Sequence, residues 1–223
     1  MNLSLIILAI APVLAVCGYI FHKDRFNKQP IKLVVIAFIF GVFSFFPTAV
    51  ATKLGGAFIV NNGNLLNTSL FAFLVLSLSE EFAKFFFLRY ILFNRKEFTE
   101  PLDAVVYALI LGFGFAAFEN FLYVVQYGNK VSIMLMLTTI LAHTILAILM
   151  SYYVGLAKFD ITHKYELLRK GLVYPVLLHG LYAFFLLQNF MAGILILAAV
   201  GLWFSVKYIR YILTQPKNNL PFL

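Results

Sequence analysis

The chain has 223 residues, of which 63% are hydrophobic and 12% charged, with a formal net charge of +8. Soluble domains average roughly 25% charged and 45–50% apolar residues, so a water-soluble globule is excluded and lipid must be the solvent for most of the surface. The Lys and Arg residues fall in short clusters between apolar runs, with no basic stripe; nucleic acid is excluded as a partner, and the charge reports topology and favours anionic headgroups.

A spanning helix needs ~20 mostly apolar residues. The first candidate, Leu3–Phe21, lacks the basic region of a cleavable signal peptide and is read as a retained span. It contains Cys17, the only cysteine, so no intrachain disulfide is expected. The second is Leu33–Thr52. After it, Leu54-Gly55-Gly56-Ala57 and Asn61-Asn62-Gly63-Asn64 read as a loop, with Phe58-Ile59-Val60 between them as a short interfacial segment or eighth element. Five more spans follow: Asn67–Phe93, Leu102–Val125, Ser132–Leu156, Gly171–Leu187 and Ala192–Leu213.

The expected architecture is therefore an all-α, polytopic transmembrane helix bundle of about seven spans, with residues 1–223 forming a single integral membrane domain. Alternating spans place fourteen Lys and Arg residues on one side, among them Arg89, Lys158 and Lys164, against Lys53 and Lys130 on the other. The positive-inside rule then puts the N-terminus outside and the C-terminus in the cytoplasm.

Ionisable side chains deep in a bilayer cost ~2.5–3.5 kcal/mol each on insertion scales, so they mark a protein interior or a watered cavity. This chain carries Glu80, Glu81 and Lys84 in its third span, Glu119 beside Asn120 in its fourth, His143 in its fifth and His179 in its sixth. Lys84 follows Glu80 by four residues and Glu81 by three, so on a helix it reaches either carboxylate. One lysine cannot neutralise both, which leaves a residual negative charge suited to a general base, or a structural ion pair with one carboxyl protonated. Phe115 and Glu119 share a helix face, and Gly112 and Ala116 nearby allow close helix packing. Three carboxylates and two imidazoles suit either a metal site or a water-activating acid–base site. No HExxH motif is present, which excludes a zincin arrangement. Intramembrane carboxylates also serve proton-coupled transporters.

Two of these segments, Glu80-Glu81-Phe82-Ala83-Lys84 and Phe115-Ala116-Ala117-Phe118-Glu119-Asn120, with His143 after them, resemble the motifs of the PrsW family of intramembrane proteases. That family belongs to a wider group that includes the type II CAAX prenyl endopeptidases. Softer similarities are Ala11-Pro12, Tyr19, Lys23-Asp24, Asp103, Val106-Tyr107 and Tyr152-Tyr153-Val154-Gly155, so the resemblance runs along nearly the whole chain. It implies a multi-pass protein of the cell membrane that cleaves a single-pass, anti-sigma-factor-like regulatory protein in or near its transmembrane segment. By the same resemblance Glu80 or Glu81 activates water, with Lys84 setting its charge. His179 or His143 stabilises the oxyanion, and Glu119 and Asn120 position the water or the scissile carbonyl. A scheme without a cofactor is preferred; in the metal-dependent alternative Glu81, Glu119, His143 and His179 hold zinc. The chain departs from the pattern at His179-Gly180-Leu181-Tyr182-Ala183, where the family usually has aspartate in the last position. That departure leaves open a pseudoprotease or scaffold.

Overall fold

The structure is a computed structural model and describes residues 30–59, 64–128 and 133–214. The predicted first span and Cys17 lie outside these residues. The described residues form helices and contain no strand. Helix α1 is Ile31–Phe58. A helical rod, α2, covers residues 65–92 as Leu65–Leu70, a π-helical stretch Phe71–Ser77, an α-helical segment Leu78–Phe87 and a second π-helical stretch Leu88–Leu92. Helices α3 (Pro101–Tyr127), α4 (Ile133–Phe159), α5 (Lys164–Leu187) and α6 (Met191–Thr214) complete the bundle.

The rod covers the predicted third span as four consecutive helical segments. The other five, α1, α3, α4, α5 and α6, are each an unbroken helix long and apolar enough to cross a membrane. Their limits follow the predicted spans closely, with two informative differences. Residues 54–57, predicted as loop, are helical, and α1 runs on to Phe58, about 42 Å at 1.5 Å per residue. The glycines that suggested a turn instead admit the rod. A Cβ on Gly55 would lie 2.7 Å from Cγ1 of Val75, and one on Gly56 would lie 3.5 Å from the Phe71 ring. Phe58 is therefore the last residue of α1 and opens no new element; Val60–Gly63 lie outside the described residues. Likewise α5 begins at Lys164, two turns before the predicted Gly171. Its opening turns carry Lys164, Glu166, Arg169 and Lys170, and an apolar window discards them. The Lys170–Glu166 ion pair at 2.6 Å lies along those turns.

Helix α3 is the centre of the bundle, buried along most of its length. Its start is set chemically. Pro101 occupies the first turn, where a missing N–H costs nothing. Oδ2 of Asp103 accepts the backbone N–H groups of Thr99 at 2.6 Å and Glu100 at 2.8 Å, closing a capping box. On one flank α3 meets α1 with almost no side chain between them: a Cβ on Gly114 would lie 2.1 Å from the Phe38 carbonyl oxygen, and one on Gly41 would lie 2.0 Å from that of Leu111. On the other flank Gly112 faces Ala147 and the His143 carbonyl of α4 at 3.5 Å. The small residues of α3 thus serve helix packing on two sides. Pro101 also lies against Gly155, so the start of α3 meets the last turns of α4, as antiparallel threading requires.

Candidate active site

The Leu78–Phe87 segment presents Glu80, Glu81, Ala83, Lys84 and Phe85 inward, while Phe82 and Phe86 are exposed. The hydroxyl of Thr48 on α1 is shared between the Ser44 carbonyl of its own helix at 3.0 Å and the Ser79 carbonyl of the rod at 3.3 Å, so the rod meets α1 one residue before the first glutamate. Helices α3, α4 and α5 then bring Glu119, His143 and His179 to the same place.

The cluster is continuous. Nζ of Lys84 donates to Oε1 of Glu81 at 2.6 Å and lies 3.8 Å from Oε2 of Glu80. It also lies 3.2 Å from Nδ1 of His143. An ammonium only donates, so His143 Nδ1 accepts, and the ring proton sits on Nε2, which faces Oε2 of Glu119 at 3.1 Å. Nδ1 of His179 meets Oε1 of Glu81 at 2.8 Å and acts as a donor to that carboxylate. Its Nε2 points to Oε2 of Glu80 at 3.9 Å, too far for a hydrogen bond. Glu80 Oε2 is buried and has no hydrogen-bond partner among the described residues. The two imidazoles stand edge to face, 5.8 Å apart. Phe115 forms the floor, with its ring 4.5 Å from Lys84 Nζ and edge-on to His143 at 5.1 Å.

The two glutamates are therefore distinct in their surroundings. Glu81, 1% exposed, accepts both a lysine and an imidazole at Oε1. Glu80 has an oxygen with nothing to accept. Between Glu81, Lys84 and His143 lies a cavity of about 10 Å³, close to the least room that holds one water molecule. Leu146 lines this cavity and also a larger apolar crevice between α4, α5 and α6.

Six of the seven predicted site residues meet here: Glu80, Glu81, Lys84, Glu119, His143 and His179. Asn120 is fully buried but points elsewhere. Its amide donates to the Met136 carbonyl of α4 at 3.4 Å, and its Oδ1 is unpartnered. Ala183, buried one turn after His179, supplies no carboxylate to the ring; Glu81 supplies it from another helix. Sequence reasoning missed Tyr123, whose hydroxyl donates to Oε1 of Glu119 at 3.0 Å. The signal was its spacing of four residues from Glu119.

Carboxylate and imidazole atoms also converge in two sets whose members lie within 4.8 Å of one another: Glu80, Glu81 and His179, and Glu80, Glu119 and His143.

Comparison with known proteins identifies the family. The family model described as "PrsW family intramembrane metalloprotease" matches residues 29–209. Among curated proteins, the Protease PrsW of Geobacillus kaustophilus is 32% identical, covering 91% of this chain and 88% of that protein. The Protease PrsW of Oceanobacillus iheyensis is 33% identical, covering 92% of this chain and 94% of its own. That of Bacillus subtilis is 29% identical, covering 92% and 93%. No solved structure matches the chain. The match along most of its length, together with the four-helix cluster of glutamates and histidines, makes this chain a member of the PrsW family of intramembrane proteases.

Proposed function

We propose that the chain hydrolyses a peptide bond in or beside the transmembrane segment of a single-pass regulatory membrane protein, in the cell membrane, with Glu80 as general base. One observation carries the assignment: Glu80 Oε2 is buried, unpartnered and 3.9 Å from His179 Nε2. A water molecule between the two would donate one proton to Glu80 and the other to His179 Nε2. Glu80 takes a proton from that water as it attacks the scissile carbonyl, then delivers it to the departing amine. Glu81 holds His179 in the tautomer that leaves Nε2 as acceptor, and balances Lys84. Lys84 and the His143–Glu119–Tyr123 chain form the wall across from the base, and Lys84 is the donor best placed for the developing oxyanion. Asn120 holds α3 to α4 and so positions Glu119.

A metal-dependent version of the same hydrolysis is favoured by the two convergent ligand sets. Their nitrogen and oxygen donors suit zinc. Glu80 and His179 would hold the ion through Oε2 and Nε2, with Glu119 and His143 beside them. The Glu81–His179 contact is then the outer-shell carboxylate that such a histidine requires. A bound zinc supplies Lewis-acid polarisation of the carbonyl and a more acidic water.

The test is reconstitution of the full chain in liposomes with a single-pass substrate, comparing wild type, Glu80→Gln and wild type stripped by a strong chelator. The proposal expects cleavage by wild type and none by Glu80→Gln. Full cleavage by Glu80→Gln overturns the base assignment. Loss on chelation with recovery on adding zinc selects the metal-dependent version.

A further inference from the structure

Away from the site, three basic side chains crowd a single aromatic ring. Measured to the centroid of Phe93, Arg89 Cζ lies at 4.5 Å, Lys158 Nζ at 5.0 Å and Lys164 Nζ at 5.4 Å. All three are half-buried, and none takes part in an ion pair among the described residues. The nearby carboxylate of Asp160 is held by His163. Lys158 has a local reason for its place, because it donates to the Phe93 carbonyl at 2.5 Å and closes the end of the rod. Among the described residues, Arg89 and Lys164 have no such bond. Cation–ring contacts are weak attractions, and the three like charges around this ring repel one another, with Lys158 acted on by both Lys164 and Arg89.

The cluster sits at one end of the bundle, where the rod and α4 finish and α5 begins. Its neighbours suit the headgroup layer. Tyr90 is 60% exposed and Tyr165 83% exposed, the placement of an aromatic belt, and Ile161 in the connecting turn is 84% exposed. A ligand here meets three cations and an apolar flank together.

We propose that Arg89, Lys158 and Lys164 bind the phosphate of an anionic phospholipid headgroup, which clamps the rod, α4 and α5 at this end of the bundle. Those three helices also carry Glu80, Glu81, Lys84, His143 and His179, so the lipid braces the frame of the site. Arginine and lysine differ usefully in such a role: Arg89 offers a planar pair of donors, and the lysines offer point charges.

The experiment uses the full chain in phosphatidylcholine nanodiscs, with and without phosphatidylglycerol, read by thermal unfolding and by lipid adducts retained in native mass spectrometry. Phosphatidylglycerol is expected to raise Tm by about 2–4 °C. Arg89→Gln and Lys164→Gln each remove most of that increment and reduce adduct retention roughly fivefold. In phosphatidylcholine alone the same variants are as stable as wild type or more so, because a repulsion is relieved. Lys207→Gln, which removes a cation stacked over Trp203 on α6, keeps the increment. The proposal is overturned if Arg89→Gln and Lys164→Gln retain the full increment, or if they lose as much stability in phosphatidylcholine. An equal increment from millimolar inorganic phosphate replaces the lipid by a soluble anion and overturns it as well.

Discussion

His179 and Glu81, 98 positions apart in sequence, meet at 2.8 Å through Nδ1 and Oε1, and the same carboxylate oxygen receives Lys84 at 2.6 Å. One oxygen thus fixes the charge of a buried lysine and the tautomer of a buried histidine. Glu80 stands farther off, with Oε2 3.8 Å from Lys84 and 3.9 Å from His179 and without a hydrogen-bond partner among the described residues. The pair of adjacent glutamates divides into a holder and a reactant.

That division gives opposite signatures to two conservative variants. Glu81→Gln removes the hydrogen-bonded carboxylate partner of Lys84 and leaves it only that of Glu80, at 3.8 Å. Breaking a buried pair outright costs about 3–5 kcal/mol, and the more distant carboxylate offsets part of that. Its thermal midpoint should fall well below that of wild type. Glu80→Gln should keep a near-native midpoint while cleavage drops by about 10²-fold or more. Equal midpoints for the two variants would contradict the division.

Tyr123→Phe removes the hydroxyl that donates to Glu119 and nothing else. A hydrogen bond to a charged group is worth ~1.5–3 kcal/mol, so Glu119 should shift toward His143 and kcat should fall about tenfold, with KM little changed. A variant that matches wild type in kcat would remove Tyr123 from the site.

Ala183→Asp restores the residue usual in the family, yet the ring it would serve already has a carboxylate on Nδ1. Adding a buried charge one turn after His179 should lower stability by several kcal/mol and give no gain in cleavage. Cleavage that appears only in Ala183→Asp would instead identify the natural chain as a disabled protease.

Gly114→Leu places a side chain where even a Cβ would lie 2.1 Å from the Phe38 carbonyl oxygen. Helices α1 and α3 must separate, at a cost of at least ~1–3 kcal/mol. The same substitution at Gly128, where nothing among the described residues lies within 4 Å of an added Cβ, crowds nothing and so separates backbone strain from helix separation. Its positive φ of 56° makes it strained for a different reason.

The turn before α5 should respond to acid. Asp160 accepts the backbone N–H of His163 at 2.9 Å, and this bond holds its carboxyl below the ordinary value of 3.8. A depressed value means that the stabilisation is complete above the unfolded value and is lost as pH falls through the folded one. Hydrogen exchange at the His163 amide, corrected for its intrinsic pH dependence, should therefore lose protection below about pH 4. Asp160→Asn should show no such step.

Much of the bundle was legible because apolar runs of spanning length have few alternatives. α3, α4 and α6 lie within a few residues of their predicted limits. Gly55 and Gly56 misled because a glycine pair signals a turn in water and a close helix contact beside another helix; only the approach of Val75 distinguishes them. The meeting of Glu80, Glu81, Lys84, Glu119, His143 and His179 was also readable, from the cost of leaving such groups in lipid. Their roles were not. Which glutamate is held depends on the rotation of α5 about its axis, and that follows from packing such as Phe73 against Gly180. Asn120 shows the same limit, since sequence places it beside Glu119 while the helix turns it toward Met136.

The π-helical stretches at 71–77 and 88–92 enclose the ten-residue segment that carries Glu80, Glu81 and Lys84. A π turn accommodates one residue more than an α turn spans, and one residue corresponds to about 100° of azimuth. Deleting a single position from 71–77 would therefore swing the Leu65–Leu70 end around by more than a quarter circle while the carboxylates kept their aim. The rod behaves as three pieces with separately adjustable headings, so its ends can be refitted to their surroundings without re-aiming the chemistry between them.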